Sequence, residues 1–187
     1  NSYDEDGRLI TANNGPFGGN DREINRTGFY VRKYLDATPS AGTIGRGSEM
    51  WNVYFRIAEA YLIASEASWE LSRDNTDTDA LKYINAVRNR AGISSLNTID
   101  HEKIMHEYRV EFAFEGGMRY MDIRRWKEAE KVFETPISGM NTDAKTNNDF
   151  FKRTEIQKRI FLKKMYLWPI YQTYLDNNEK MVQNKYW

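Results

Sequence analysis

The 187-residue chain contains no cysteine, so disulfides, thiol nucleophiles and zinc thiolate sites are all excluded and the redox compartment cannot be read from it. It has only two histidines and four prolines. Charge of one sign is lacking as well: Lys+Arg and Asp+Glu both total 27, which argues against a nucleic-acid or anionic-membrane surface held by bulk charge. No run approaches the roughly 20 apolar residues of a membrane-spanning helix. No signal peptide or lipid-attachment cysteine is present, and the polar opening NSYDEDGRLI reads as an interior starting point, which predicts a fragment of a longer protein.

What the chain does have is aromatic residues, at 14%, including twelve Tyr and five Trp. Flat apolar faces with polar edges suit both helix cores and the grip on an amphipathic ligand. Residues 1 to about 50 are rich in Gly and loop-like, and only Thr27 to Leu35 alternates as a strand would. From residue 52 to 72 the spacing predicts an amphipathic helix with Ile57, Tyr61, Ala64, Ala67 and Leu71 on one stripe and Glu59, Glu66 and Glu70 on another. A second helix, capped by Thr78 and ended by Gly92, buries Leu81, Ile84, Val87 and Ala91. Together they read as an antiparallel hairpin similar to one tetratricopeptide unit. One unit cannot bury both faces alone, which predicts either a capping third helix or further repeats before Asn1. Trp51 is expected to be a buried staple residue.

The third helix begins at the Asp100 cap and runs to Gly116 and Gly117, followed by a short helical piece from Met121 to Glu130. Here charges crowd among aromatics. Glu107, Arg109, Glu111, Glu115, Arg119, Asp122, Arg124 and Arg125 interleave with Tyr108, Phe112, Phe114, Tyr120 and Trp126. Acids matched with Arg, and not with one another, favour a structural ion network over a pair of catalytic carboxylates. Its predicted members are Arg109, Glu111, Glu115, Arg119, Asp122 and Arg125. Tyr61, Phe112, Phe114 and Trp126 are expected in the core. After Pro136 the chain is polar through Asn141, Asn147 and Asn148, then apolar and extended from Ile160 to Ile170.

Other motifs carry little. His101 and His106 in HEKIMHE are five apart, roughly 140° around a helix, and cannot share one metal as an i, i+4 pair does. Asp74 to Asp79 resembles a calcium loop but has Asp79 where Gly is needed and Asn85 where Glu is needed. Gly42 to Gly47 lacks the order and context of a dinucleotide fingerprint. No metal and no cofactor is expected.

Five ordered blocks carry a resemblance. Arg56–Ala67 (RIAEAYLIASEA), Ala80–Ile93 (ALKYINAVRNRAGI), Glu107–Gly116 (EYRVEFAFEG), Met121–Trp126 (MDIRRW), and YLWPI followed by QNKYW are similar to the carboxy-terminal part of the SusD/RagB family. Departures are modest: Tyr108 stands where an Arg is usual, Gly117–Met118 replace a more polar pair, and Tyr171 and Lys185 occupy places often held by Pro. The resemblance implies a mainly α fold built on tetratricopeptide-like helix pairs, with long irregular loops and minor β structure. It implies residues 1–51 as a loop-rich ligand side, 52–130 as helical scaffold and 131–187 as loops, extended segment and tail. It also implies a binder and not an enzyme: a lipid-anchored, surface-exposed outer-membrane protein that captures oligosaccharide and delivers it to a SusC-like TonB-dependent transporter. Nucleic acid has no part in that reading, and membrane contact would be through the anchor alone. The competing reading is a tetratricopeptide-type protein-interaction scaffold.

A pyranose offers an apolar C–H face and a rim of hydroxyls, so its site needs an exposed aromatic beside amides or carboxylates at loop tips. The first loops have that mixture. Tyr3, Asp4, Asn13, Asn14, Phe17, Asn20 and Asp21 are the candidate ligand contacts.

Overall fold

The computed structural model describes residues 27–29, 31–35, 50–51, 53–142, 144 and 146–187. The chain divides into two compact units, one of residues 32–121 and one of residues 1–31 with 122–187.

The first unit is three helices. α1 (Ile57–Ser72) and α2 (Thr78–Arg90) form the expected hairpin, joined through a turn in which Asp74 accepts from both the backbone N–H and the hydroxyl of Thr76. The α2 cap is Asp77, one residue before the predicted Thr78: its carboxylate reaches the Ala80 N–H at 2.7 Å, and a side chain at Ncap is the one positioned for that bond. At the other end Gly92 adopts φ +73°. The Gly92 N–H donates to Asn89 and the Ile93 N–H to Arg88, the double bond pattern that closes a helix through a left-handed residue. Asn85 then pins the connecting loop by exchanging two hydrogen bonds with the Leu96 backbone. α3 (His101–Glu111) starts at Asp100 as expected, with the carboxylate accepting from the Lys103 N–H. It stops five residues short of Gly116, because the chain turns left-handed at Phe114.

The packed face of α1 differs from expectation. Ala58, Leu62, Ser65 and Trp69 are buried, whereas Ile57 is 68% and Leu71 88% exposed. α1 has two apolar stripes, and the one holding small and polar residues meets α2. There the Ser65 hydroxyl donates to the Ala80 carbonyl at 2.7 Å, a contact that a bulkier pair would hold apart. On α2, Ile84 and Val87 are buried as predicted, with Ala80 in place of Ala91, which lies exposed beyond the helix end.

α4 (Met118–Arg125) leads into the second unit. The single helical piece expected from Met121 to Glu130 is two helices, broken at Lys127 with φ +61° before α5 (Ala129–Glu134). Ile123, Ala129 and Phe161 form the core of this unit, with Val132, Phe133, Met165 and Tyr166 against it. An antiparallel hairpin of β1 (Ile137–Met140) and β2 (Arg153–Gln157), enclosing the one-turn α6 (Asn147–Phe150), replaces the polar loop expected after Pro136. Thr27 to Leu35 forms no strand among the described residues; Lys33–Tyr34 is a turn. Thr27 nonetheless docks on β1, accepting from the Met140 N–H, and a Cβ on Gly139 would lie 2.6 Å from the Thr27 oxygen. The predicted extended run contains a 3-10 turn at Lys163–Tyr166 and is followed by α7 (Gln172–Asp176). The tail folds back on it: Gln183 exchanges two bonds with the Ile170 backbone, and the Trp187 indole N–H reaches the carbonyls of Lys164 and Leu167.

Candidate functional site

Two tight turns of the 32–121 unit build the site. At the end of α3 the Glu115 N–H returns to the Phe112 carbonyl, and Phe114 takes φ +64° with Gly116 and Gly117 also left-handed. At the other turn the Leu35 N–H returns to Arg32, and Tyr34 takes φ +60°. A bulky residue in this region costs on the order of 1 to 3 kcal/mol, and such strain concentrates at functional positions. Both turns do the same thing. The aromatic faces outward while the charged neighbour, Lys33 or Glu115, is drawn into an ion cluster.

That cluster centres on Arg56, the residue before α1. Its guanidinium donates to both carboxylate oxygens of Glu115, at 2.9 and 2.8 Å, to the Glu111 carboxylate and to the Glu111 carbonyl. Lys33 bonds Glu115 and donates to the carbonyls of Glu111, the last residue of α3, and of Ala113 just beyond it. Arg90 also reaches Glu111. Burial pushes the Glu115 carboxyl up, but the bonds from Arg56 and Lys33 outweigh it and hold the group below the ordinary carboxylate range. Burial lowers Arg56 less than the two carboxylates raise it, so its guanidinium is firmly charged. Phe112, buried, lies under Arg56 at 4.6 Å from the ring centroid.

Above this floor is an open cleft of about 290 Å³ lined by Tyr34, Met50, Trp51, Val53, Phe114, Glu115 and Gly116. Trp51 is 86% and Phe114 73% exposed, so neither is the buried residue that hydrophobicity predicts. Trp51 precedes the Arg56 cap by five residues, outside the staple position, and Phe114 is turned out by its left-handed backbone. The arrangement is an aromatic rim over a fixed, ion-paired polar floor. A carboxylate held by two cations is a poor proton donor near neutral pH, so the chemistry the cleft offers is stacking and hydrogen bonding.

The predicted residues distribute unevenly. Glu111 and Glu115 meet in the cluster, and their partners Lys33, Arg56 and Arg90 come from outside the charged segment. Glu107, 2% exposed, pairs with Arg88 of α2 at 2.7 Å. Asp122 pairs with Arg125 one turn away. Arg119 is half-buried on α4. Arg109 is the correction: it is exposed on α3, and among the described residues it has no ion-pair partner, because it points away from the face carrying Ile104, Glu107 and Tyr108. Tyr3, Asp4, Asn13, Asn14, Phe17, Asn20 and Asp21 lie outside the described residues.

Comparison with known proteins decides the family. The family model described as the SusD family matches residues 3–187. The chain belongs to the SusD family. It is 33% identical over 125 residues to the SusD-like protein P2 of Formosa agariphila, a match covering 60% of this chain and 24% of that protein. Among solved structures it is similar to BT4246, with TM-score 0.64 and 31% identity over 75% of this chain and 24% of that one. The SusD-like protein BF3747 of Bacteroides fragilis matches with TM-score 0.59 and 32% identity over 71% and 25%. The chain thus spans about a quarter of the length of these relatives. The mainly helical SusD-like fold expected from the sequence is the observed one.

Proposed function

We propose that this chain is the carboxy-terminal part of a surface glycan-binding protein, and that the cleft over Arg56 takes one sugar ring of an oligosaccharide. The observation that carries the reading is Trp51, an indole exposed beside Phe114 above an ion-paired carboxylate. A pyranose stacks its C–H face on an aromatic ring while its hydroxyls take hydrogen bonds from fixed polar groups, and the cleft supplies both. Family membership supports the wider role: an outer-membrane, lipid-anchored binder without catalytic activity, passing its cargo to a SusC-like TonB-dependent transporter. In that role Tyr3, Asp4, Asn13, Asn14, Phe17, Asn20 and Asp21 remain candidate ligand contacts on their own residue chemistry.

Calorimetric titration against a panel of neutral oligosaccharides tests the cleft. Trp51→Ala should weaken binding by about 1 to 2 kcal/mol, the size of one aromatic contact, with the unfolding midpoint unchanged. Wild-type affinity in that variant removes the cleft from the ligand path. The exposed Ile57 and Leu71 of α1 favour a second reading, in which the helix pair docks another protein element. Under that reading Leu71→Glu, and not Trp51→Ala, would abolish the interaction.

A further inference from the structure

The second unit has a surface unlike the cleft. From Lys158 to Leu175 the chain carries Lys158, Arg159, Lys163 and Lys164 and no acid, within a protein of formal net charge zero. The same stretch exposes Trp168, at 67%, together with Tyr171 and Tyr174. The fold brings further cations to it. The Arg124 guanidinium lies 5.2 Å from the centre of the Trp168 ring and donates to the Tyr166 carbonyl at 2.7 Å. Lys127 lies 4.6 Å from the Tyr166 ring centre and Lys164 4.3 Å from that of Trp187, whose indole is tied back to the Lys164 carbonyl. Lys185 sits 5.0 Å from Tyr186.

Among the described residues, all of these lysines but Lys158 lack a carboxylate partner. Lys33, Lys103, Lys131, Lys152 and Lys158 each have a carboxylate within 4 Å. Among the described residues Lys127, Lys163, Lys164 and Lys185 have none. Of the nearby acids, Asp122 and Glu128 are engaged by Arg125 and Lys131, and the exposed Glu130, whose N–H meets the Tyr166 hydroxyl, forms no ion pair with Lys127. A ring face leaves the ammonium's charge uncompensated and its three N–H groups without an acceptor oxygen, so they remain available to an anion. Stacking also holds each side chain near one position before any ligand arrives, which lowers the ordering cost of binding.

We infer that this surface, formed by Arg124, Lys127, Lys163, Lys164, Trp168 and Trp187, binds an acidic saccharide, a chain of sugar rings bearing carboxylate or sulfate groups. The inference rests on the glycan-binding reading and adds a substrate class to it. Alternating rings and cations match a polymer whose units each present an apolar C–H face and a charged edge. An acidic peptide would answer the cations but makes no use of three exposed ring faces, those of Trp168, Tyr171 and Tyr174 at 64 to 71% exposure.

The test is titration of the chain with four probes: oligogalacturonate for carboxylate, sulfated dextran oligomers for sulfate, neutral dextran oligomers, and polyglutamate. Wild-type protein should bind one of the two acidic saccharides, with affinity falling steeply as salt is raised. The double variant Lys127→Gln, Lys164→Gln should lose about tenfold for that probe at low salt, as expected when two solvent-facing charge contacts are removed, and Trp168→Ala a similar factor. Neither should alter neutral-sugar binding, which Trp51→Ala should weaken instead. If Trp51→Ala changes nothing while the lysine and Trp168 variants lose the acidic probe, the cleft reading fails and this one stands. Unchanged acidic-sugar binding in both patch variants overturns the inference. Polyglutamate binding as tightly as either sugar, indifferent to Trp168→Ala, overturns it in favour of an acidic protein segment. No binding of either acidic saccharide by the wild type overturns it outright.

Discussion

The two units differ in what surrounds their half-buried guanidiniums. In residues 32–121 two half-buried guanidiniums meet carboxylates: Arg56 meets Glu111 and Glu115, and Arg88 meets Glu107. In residues 122–187 Arg125, Lys131, Lys152 and Lys158 pair with acids at the surface, while the half-buried Arg124 and Arg159 have ring and carbonyl contacts. Arg159 lies over Phe133 and donates to the carbonyls of Val132 and Thr135, while Arg124 serves Trp168 and Tyr166. Paired charges are satisfied within the fold and fix its geometry. Lysines that rest on rings, as Lys127 and Lys164 do, keep their net charge and stay available to something outside. The first unit therefore stores its electrostatics as rigidity, and the second presents them as a surface.

That contrast can be broken most severely at Glu107. Its removal leaves Arg88 buried beside an apolar face, so Glu107→Ala should lower stability by about 3 to 5 kcal/mol, read as a shift in the urea midpoint. Glu115→Gln should cost less, about 1.5 to 3 kcal/mol, since the amide keeps some of the bonds to Arg56 and Lys33. It should also change the acid limb. The folded-state pKa of Glu115 is lowered from 4.5, so its contribution is complete above that value and lost as pH falls through the folded pKa below it. Unfolding of the Gln variant followed between neutral pH and pH 3 should therefore be less acid-sensitive than wild type. An identical acid limb would show that the cluster is not held by charge.

Removing a cap is a smaller perturbation in the same unit: Asp100→Ala frees the Lys103 N–H and should cost about 1 kcal/mol, visible by thermal denaturation. Least of all should follow from Lys163→Gln in the second unit and Arg109→Ala in the first, both within about 0.5 kcal/mol of wild type. A large loss from Lys163→Gln would mean that the second unit's cations hold the fold after all, and the contrast would disappear.

Local chemistry was readable from the residues; phase and partnership were not. Asp100 and Gly92 mark helix ends because a short carboxylate and a residue free to take positive φ act within one turn of themselves. The α1 spacing was equally plain, yet Ile57 and Leu71 lie outward. Periodicity fixes the pitch of a stripe, and where a helix has two apolar stripes only the partner helix selects one. The ion cluster shows the same limit. Glu111 and Glu115 announce a need for cations, but Arg56 lies 55 and 59 positions earlier, and nothing local points to it. The cleft was hidden for a different reason. Trp51 and Phe114 are large and apolar, and composition places such residues inside. The adjacent Gly116 and Gly117 were the available sign that the backbone there abandons helical geometry. Neutral overall charge likewise concealed the lysines of the second unit, because a sum over the chain cancels a patch against its surroundings.

The left-handed aromatics have a consequence for anyone who engineers this protein. Tyr34 and Phe114 occupy backbone that glycine or asparagine would adopt without strain. A library selected for heat resistance alone would drift toward those two residues at both positions, relaxing the turns while leaving Lys33 and Glu115 in their cluster. The survivors would fold well, melt later and have lost two walls of the cleft. A heat-selected pool that had fixed glycine at residue 34 or 114 and still bound sugar would mark those rings as dispensable.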